Sequence, residues 1–183
     1  LRTDGLSADT DPIKGELAGL PDFITEDPSV REQIIDWQAG WLERAKTDRG
    51  DTIDYFRVDT VKHVDETTWK AFKNALTQLN PSFKMIGEYF GATVDSDGGT
   101  LRSGQMDSLL DFGFKGKAKE FVNGSVESVE AYLADRESKL DNTRMMGQFL
   151  SSHDEDGFLS HYVDGDKAKL MAAAALQITS KGQ

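Results

Sequence analysis

The sequence predicts an α/β fold with a parallel sheet, on two observations: short apolar runs alternate with segments of helical spacing, and three of those runs have a carboxylate within a few residues of their end. Strands separated by helices imply right-handed crossovers and parallel pairing. The opening segment, Leu1 to Phe23, mixes Gly, Asp, Thr and Ser with scattered apolar residues and reads as a long loop. Asp27 before Pro28 is an N-cap followed by a proline at the first helical position. Val30, Ile34, Trp37 and Trp41 then follow at helical spacing, which predicts a helix from Pro28 to Thr47 with its tryptophans in the core. After the polar turn Asp48 to Asp51, Ile53 to Val58 has strand composition and stops at Asp59.

Trp69, Phe72, Leu76 and Leu79 share one face of the next helix, which ends at Asn80-Pro81. Phe83 to Ile86 is the second strand. A glycine-rich loop from Gly91 to Gly104 leads to a third strand at Ser108 to Phe112, then to a helix carrying Val126, Val129 and Leu133. A fourth strand at Met145 to Leu150 and an alanine-rich helix from Asp166 to Ile178 complete a count of four strands and about five helices. Such a pattern fits an open doubly wound sheet or part of a closed barrel. Polar residues at the C-terminal ends of several different strands favour the partial (β/α)₈ barrel.

With 183 residues the chain suffices for one domain with a real core. Its 32 acidic and 21 basic residues give a net charge of -11, which repels a phosphate backbone and argues against nucleic acid as a partner. No apolar run approaches the roughly 20 residues of a membrane helix, so no membrane partner is expected. Residue 1 is not followed by the charged and apolar regions of a signal peptide. Without cysteine there is no disulfide, no thiol catalysis and no thiolate metal site.

Cleavage of a glycosidic bond with retention needs a carboxylate nucleophile and a carboxylic acid about 5–5.5 Å apart. Asp59 and Glu88 are one strand-helix-strand step apart, which places them at equivalent ends of neighbouring parallel strands. Arg57, two residues before Asp59, lies on the same strand face, where a guanidinium would hold that carboxylate ionised and in place. Asp59 is therefore the candidate nucleophile. Glu88 follows Gly87 at a strand end, where an apolar wall would help it keep the proton that a general acid delivers. Asp154, after His153, would hold sugar hydroxyls as positive charge develops on the ring, with His153 donating to another. A single carboxylate after a strand is more often a helix cap or a turn residue, and only the coincidence of all three points to a site.

The stretches Leu20-Pro21-Asp22-Phe23, Phe56-Arg57-Val58-Asp59-Thr60-Val61-Lys62-His63, Ile86-Gly87-Glu88 and Phe149-Leu150-Ser151-Ser152-His153-Asp154 resemble, in identity, order and spacing, the α-amylase family (family 13 glycoside hydrolases). The resemblance implies Asp59 as nucleophile, Glu88 as acid and base, and Asp154 as the aspartate that stabilises the transition state. It implies that Lys62 contacts glucose on the leaving-group side, that the His63 main-chain carbonyl reaches a structural Ca²⁺, and that Asp22 is a ligand of the same ion, since oxygen donors suit this hard cation. Tyr89 beside Glu88 would offer a face on which a sugar stacks. The implied activity is hydrolysis of internal α-1,4-glucosidic bonds of starch. Related α-glucan enzymes and an inactive carbohydrate- or calcium-binding fragment stand as alternatives. An extracellular location is implied by the resemblance alone.

Residues 1–23 would end the family's inserted calcium-binding domain, and residues 24–183 would supply strands four to seven of the barrel with their helices. The family's segment at the third strand has no counterpart here, and Tyr55 and Ser152 stand where many members have glycine and asparagine. Four strands alone would expose two sheet edges, so the missing barrel half or a second copy is the expected protein partner.

Overall fold

Asp27 starts the first helix for a local reason: its Oδ1 accepts from the N–H groups of Ser29 and Val30, at 2.8 and 3.4 Å, and Pro28 needs no partner for an N–H it lacks. The computed structural model describes residues 1–141 and 145–182. They fall into two units, Leu1–Tyr89 with Gly98–Asp107, and Phe90–Asp97 with Ser108–Gln183.

In the first unit, α1 spans Pro28–Arg44, β1 Tyr55–Val58, α2 Glu66–Leu79 and β2 Lys84–Gly87, with a short 3₁₀ turn at Val61–His63. β1 and β2 pair in parallel, with Tyr55 opposite Lys84 and Val58 opposite Gly87. α2 begins at Asp65, whose side chain caps the Thr68 N–H at 3.0 Å. Its buried stripe is Trp69, Phe72 and Leu76. Phe83 and Met85 are fully buried, and Phe56 meets Phe83 edge-on at 5.0 Å. β1 begins at Tyr55, two residues later than the composition predicts, because the side chain of Asn80 at the end of α2 takes the Ile53 carbonyl and the Asp54 carboxylate. Asp107 returns to this unit, accepting from Lys73 Nζ and the Met85 N–H, both at 2.9 Å.

One expectation for this unit is corrected. Trp69 is buried, with its indole N–H donating to the Val61 carbonyl at 2.9 Å, but Trp37 and Trp41 are each 55% exposed. The inward face of α1 is carried by Leu42, the neighbour of Trp41, and side chains one residue apart do not share a helix face.

In the second unit, β3 (Ser108–Asp111) and β4 (Met145–Gln148) pair in parallel, and α3 (Phe114–Val122), α4 (Val126–Lys139) and α5 (Lys167–Thr179) pack around Phe114, Ala118, Phe158 and Ala173. A single π-type turn covers Phe158–Tyr162. β4 ends earlier than its apolar run because Gln177 of α5 donates to the Gln148 carbonyl at 2.9 Å and Gln148 in turn donates to α5 and its end. Asp111, at the end of β3, is fully buried and accepts from Arg136 Nη1 at 2.8 Å, from the Tyr132 hydroxyl and from the Gly113 N–H. Burial, followed by the Asp111 charge, pushes the Tyr132 phenol well above its ordinary range, so it remains a donor. Among the described residues no helix is long and apolar enough to cross a membrane.

The caps couple this fold to pH. The hydroxyl and N–H of Ser29 and the N–H of Val30 hold the Asp27 carboxyl below its ordinary range, and the amides of Lys14 and Ile13 do the same for Asp11. A carboxyl depressed in the folded state stabilises it above the unfolded value of about 4, and that stabilisation is lost as pH falls through the folded value. Urea midpoints are expected to drop between about pH 5 and about pH 3, and to drop less in Asp27→Asn, which caps without ionising. Equal drops in the two proteins would rule the cap out as a contributor.

Candidate active site

The register of β1 and β2 makes the first half of the site. Val58 is paired with Gly87, so the next residues, Asp59 and Glu88, leave the sheet side by side at the C-terminal strand ends. Asp59 is 64% exposed along its side chain, and Arg57 Nη1 forms an ion pair with its Oδ1. Glu88 is the opposite: buried, with its main-chain N–H bonded to the Val58 carbonyl at 2.7 Å and its carbonyl accepting from the Val61 N–H at 2.9 Å. Its Oε2 accepts from the Thr60 N–H at 2.8 Å. One carboxylate is open and paired with a cation, and its neighbour is enclosed. That difference of environment is what separates a nucleophile from a proton donor.

Lys62 and His63 follow in the 3₁₀ turn, half-buried, with His63 Nδ1 2.8 Å from the Pro12 carbonyl. His63 and Asp22 line the same cavity of about 290 Å³. Asp22 Oδ2 accepts from Arg2 Nε at 3.2 Å, and the Arg2 guanidinium also pairs with Glu26. The donor chemistry of Asp22 and of main-chain carbonyls fits a hard cation, but the Asp22 carboxylate faces a guanidinium here. Among the described residues no three His, Asp or Glu side chains gather into a metal cluster. Tyr89 is half-buried and lies against Gly98, where an added Cβ would come 2.6 Å from its hydroxyl.

In the second unit, Ser151 and Ser152 shape the turn after β4. The Ser151 hydroxyl accepts from the Phe158 N–H at 2.8 Å and the Ser152 hydroxyl from the Asp154 N–H at 3.3 Å. His153 Nε2 sits 3.1 Å from Asp154 Oδ2, with both side chains half or more exposed. They line an open cavity of about 490 Å³ together with Lys115, Glu155, Asp156 and Tyr162. Lys115, almost wholly buried, forms an ion pair with Glu155 and lies 5.8–6.0 Å from the rings of Phe112, Phe149 and Tyr162. Sequence reasoning missed Lys115, since it placed no helix at Phe114–Val122. It also missed Thr60, whose contribution is a main-chain N–H that no side-chain pattern reveals.

The first unit thus brings together Arg57, Asp59 and Glu88, and separately Asp22 and His63; the second brings together His153 and Asp154. The family model for the α-amylase catalytic domain matches residues 13–183. Neopullulanase 2 of Thermoactinomyces vulgaris is 27% identical over 172 residues, covering 91% of this chain and 27% of that protein. An α-amylase of Streptomyces lividans is 31% identical over 141 residues, covering 73% of this chain and 15% of that protein. The crystal structure of the Geobacillus thermoleovorans α-amylase complexed with acarbose superposes with a TM-score of 0.76 at 24% identity, over 90% of this chain and 37% of that one. The chain therefore spans about a quarter or less of these curated relatives, and its parallel strands and helices are a portion of their (β/α)₈ barrel. With its catalytic-domain match running from residue 13 to residue 183, the chain belongs to the α-amylase family of glycoside hydrolases.

Proposed function

We propose that the chain carries the catalytic carboxylates of a retaining α-amylase that cleaves internal α-1,4-glucosidic bonds of starch and related α-glucans. The observation that carries this reading is the Val58–Gly87 pairing, which sets an open, Arg57-paired Asp59 beside an enclosed Glu88. Asp59 attacks the anomeric carbon as Glu88 gives its proton to the departing glycosidic oxygen, and a covalent glycosyl-enzyme forms. Glu88 then takes a proton from water, which displaces Asp59. Asp154 stabilises the charge on the ring, His153 holds a hydroxyl, Lys62 contacts glucose on the leaving-group side and Tyr89 stacks on a sugar. The whole protein would act outside the cell, with the rest of the barrel or a second copy as partner.

A structural Ca²⁺ belongs to the same reading, held by the Asp22 carboxylate and the His63 carbonyl, with Arg2 keeping Glu26 when the ion takes Asp22. The ion would brace the loop and takes no step in the reaction. The test is chromatography of products from soluble starch, with calcium and with a chelator. Mixed oligosaccharides are expected, and the chelator should lower the melting temperature. Cyclic products would instead favour the glucanotransferase reading, and glucose alone an exo-acting enzyme. Binding of maltoheptaose without turnover would reduce the chain to a carbohydrate-binding fragment.

A further inference from the structure

Thr60 adopts φ 51° and ψ 36°, the left-handed region, where a β-branched residue is a true outlier. Such strain persists where the surrounding structure over-determines it, and it clusters at functional sites. Here its effect is directional. Extended backbone points successive N–H groups to opposite sides, whereas a helical conformation of either hand points them the same way. Thr60 and Val61 accordingly both donate to Glu88, the first to Oε2 at 2.8 Å and the second to the main-chain carbonyl at 2.9 Å. The Glu88 N–H returns to the Val58 carbonyl at 2.7 Å. The turn after β1 is thereby closed onto Glu88 by three hydrogen bonds.

We infer that Thr60 is a positioning residue whose main-chain N–H keeps Oε2 of Glu88 free of the proton, so that Oε1 is the oxygen that exchanges it with substrate and water. The carbonyl-type oxygen of a carboxylic acid accepts a hydrogen bond better than its hydroxyl oxygen does, so an amide N–H directed at Oε2 favours the acid form that carries its hydrogen on Oε1. In glycosylation the Oε1–H bond breaks and the proton passes to the glycosidic oxygen as its bond to the anomeric carbon breaks. The charge this leaves on the carboxylate is met at Oε2 by the Thr60 amide, and in deglycosylation Oε1 takes a proton from the attacking water and the group is neutral again. The inference rests on the acid/base reading of Glu88. It adds which oxygen acts and what fixes it.

The experiment is a pH titration of the whole chain by NMR, following the Thr60 amide proton beside the side-chain carboxyl carbons of Glu88 and Asp59. The Thr60 proton is expected to move downfield with the midpoint of the Glu88 carboxyl. That movement should be lost in Glu88→Gln and kept in Asp59→Asn and in Thr60→Gly, since glycine accepts a positive φ without strain and retains the N–H. A Thr60 resonance that does not titrate, or that follows Asp59 instead, overturns the inference. An ester in place of the residue 60 amide should lower kcat and shift the pH profile with KM unchanged, whereas a merely structural contact would leave the profile in place. Unimpaired starch hydrolysis by Glu88→Gln would sink the acid/base reading without touching the titration, so the two failures are separable.

Discussion

Asp59→Asn is expected to reduce the rate of starch hydrolysis by about 10⁴-fold or more, the scale on which loss of a covalent nucleophile acts. The amide has the shape of the carboxylate and stays at the end of β1, but it cannot form the glycosyl-enzyme. The Arg57–Asp59 pair is largely solvent-exposed, so its loss should change stability by about 1 kcal/mol or less. Reducing-sugar release at saturating starch, read with a thermal melt, separates the two effects. A tenfold loss or smaller would place the nucleophile on another residue.

The features behind that expectation were unevenly legible in the sequence. Both strands that carry Asp59 and Glu88 were readable, because apolar runs bounded by polar turns survive as local signals, and the Arg57 spacing predicts the pair that forms. α1 announces itself through Asp27-Pro28, and α2 through the face of Trp69, Phe72 and Leu76 and its stop at Asn80-Pro81. Strand and helix ends were displaced where tertiary hydrogen bonds intervened, as with Asn80 at Ile53 and Gln177 at Gln148. Trp37 and Trp41 show the limit of periodicity: spacing gives a face and does not say whether anything covers it. α3 went unread because Phe114, Lys115 and Ala118 alternate with Gly116 and two further lysines, so its apolar stripe is thin. Lys115 is buried there because the rings of Phe112, Phe149 and Tyr162 and the Glu155 carboxylate surround it, and all of these but Phe112 come from segments far along the chain.

The second large effect concerns stability. Arg136→Met is expected to destabilise the second unit by about 3–5 kcal/mol, because it strands the Asp111 carboxylate in the interior without a cation. Asp111 is 0% and Arg136 4% exposed along their side chains. Arg136 also donates to the Lys181 carbonyl, so the same change releases the segment after α5. Pairing it with Asp111→Leu should recover most of the loss, since two apolar groups leave no buried charge unpaired. Urea unfolding of both variants checks this. A double variant as unstable as Arg136→Met alone would show that the hydrogen bonds, including that of Tyr132, outweigh the charge.

The turns at Asp11 and Asp27 also set the chemical durability of the chain. Each aspartate precedes a proline, and each aims its Oδ1 at amides two and three residues onward, Ile13 and Lys14 in one case, Ser29 and Val30 in the other. Aspartyl-prolyl bonds break in warm acid when the side chain attacks its own carbonyl and the basic proline nitrogen departs. In the folded chain those oxygens are turned toward their amides, while unfolding frees them for the attack. Acid unfolding would thus become scission over time, cutting after residue 11 and residue 27 and separating Arg2 and Asp22 from the strands. Durability in warm acid is then a rate set by opening of two short turns, and refolding yield would decline with every hour spent unfolded.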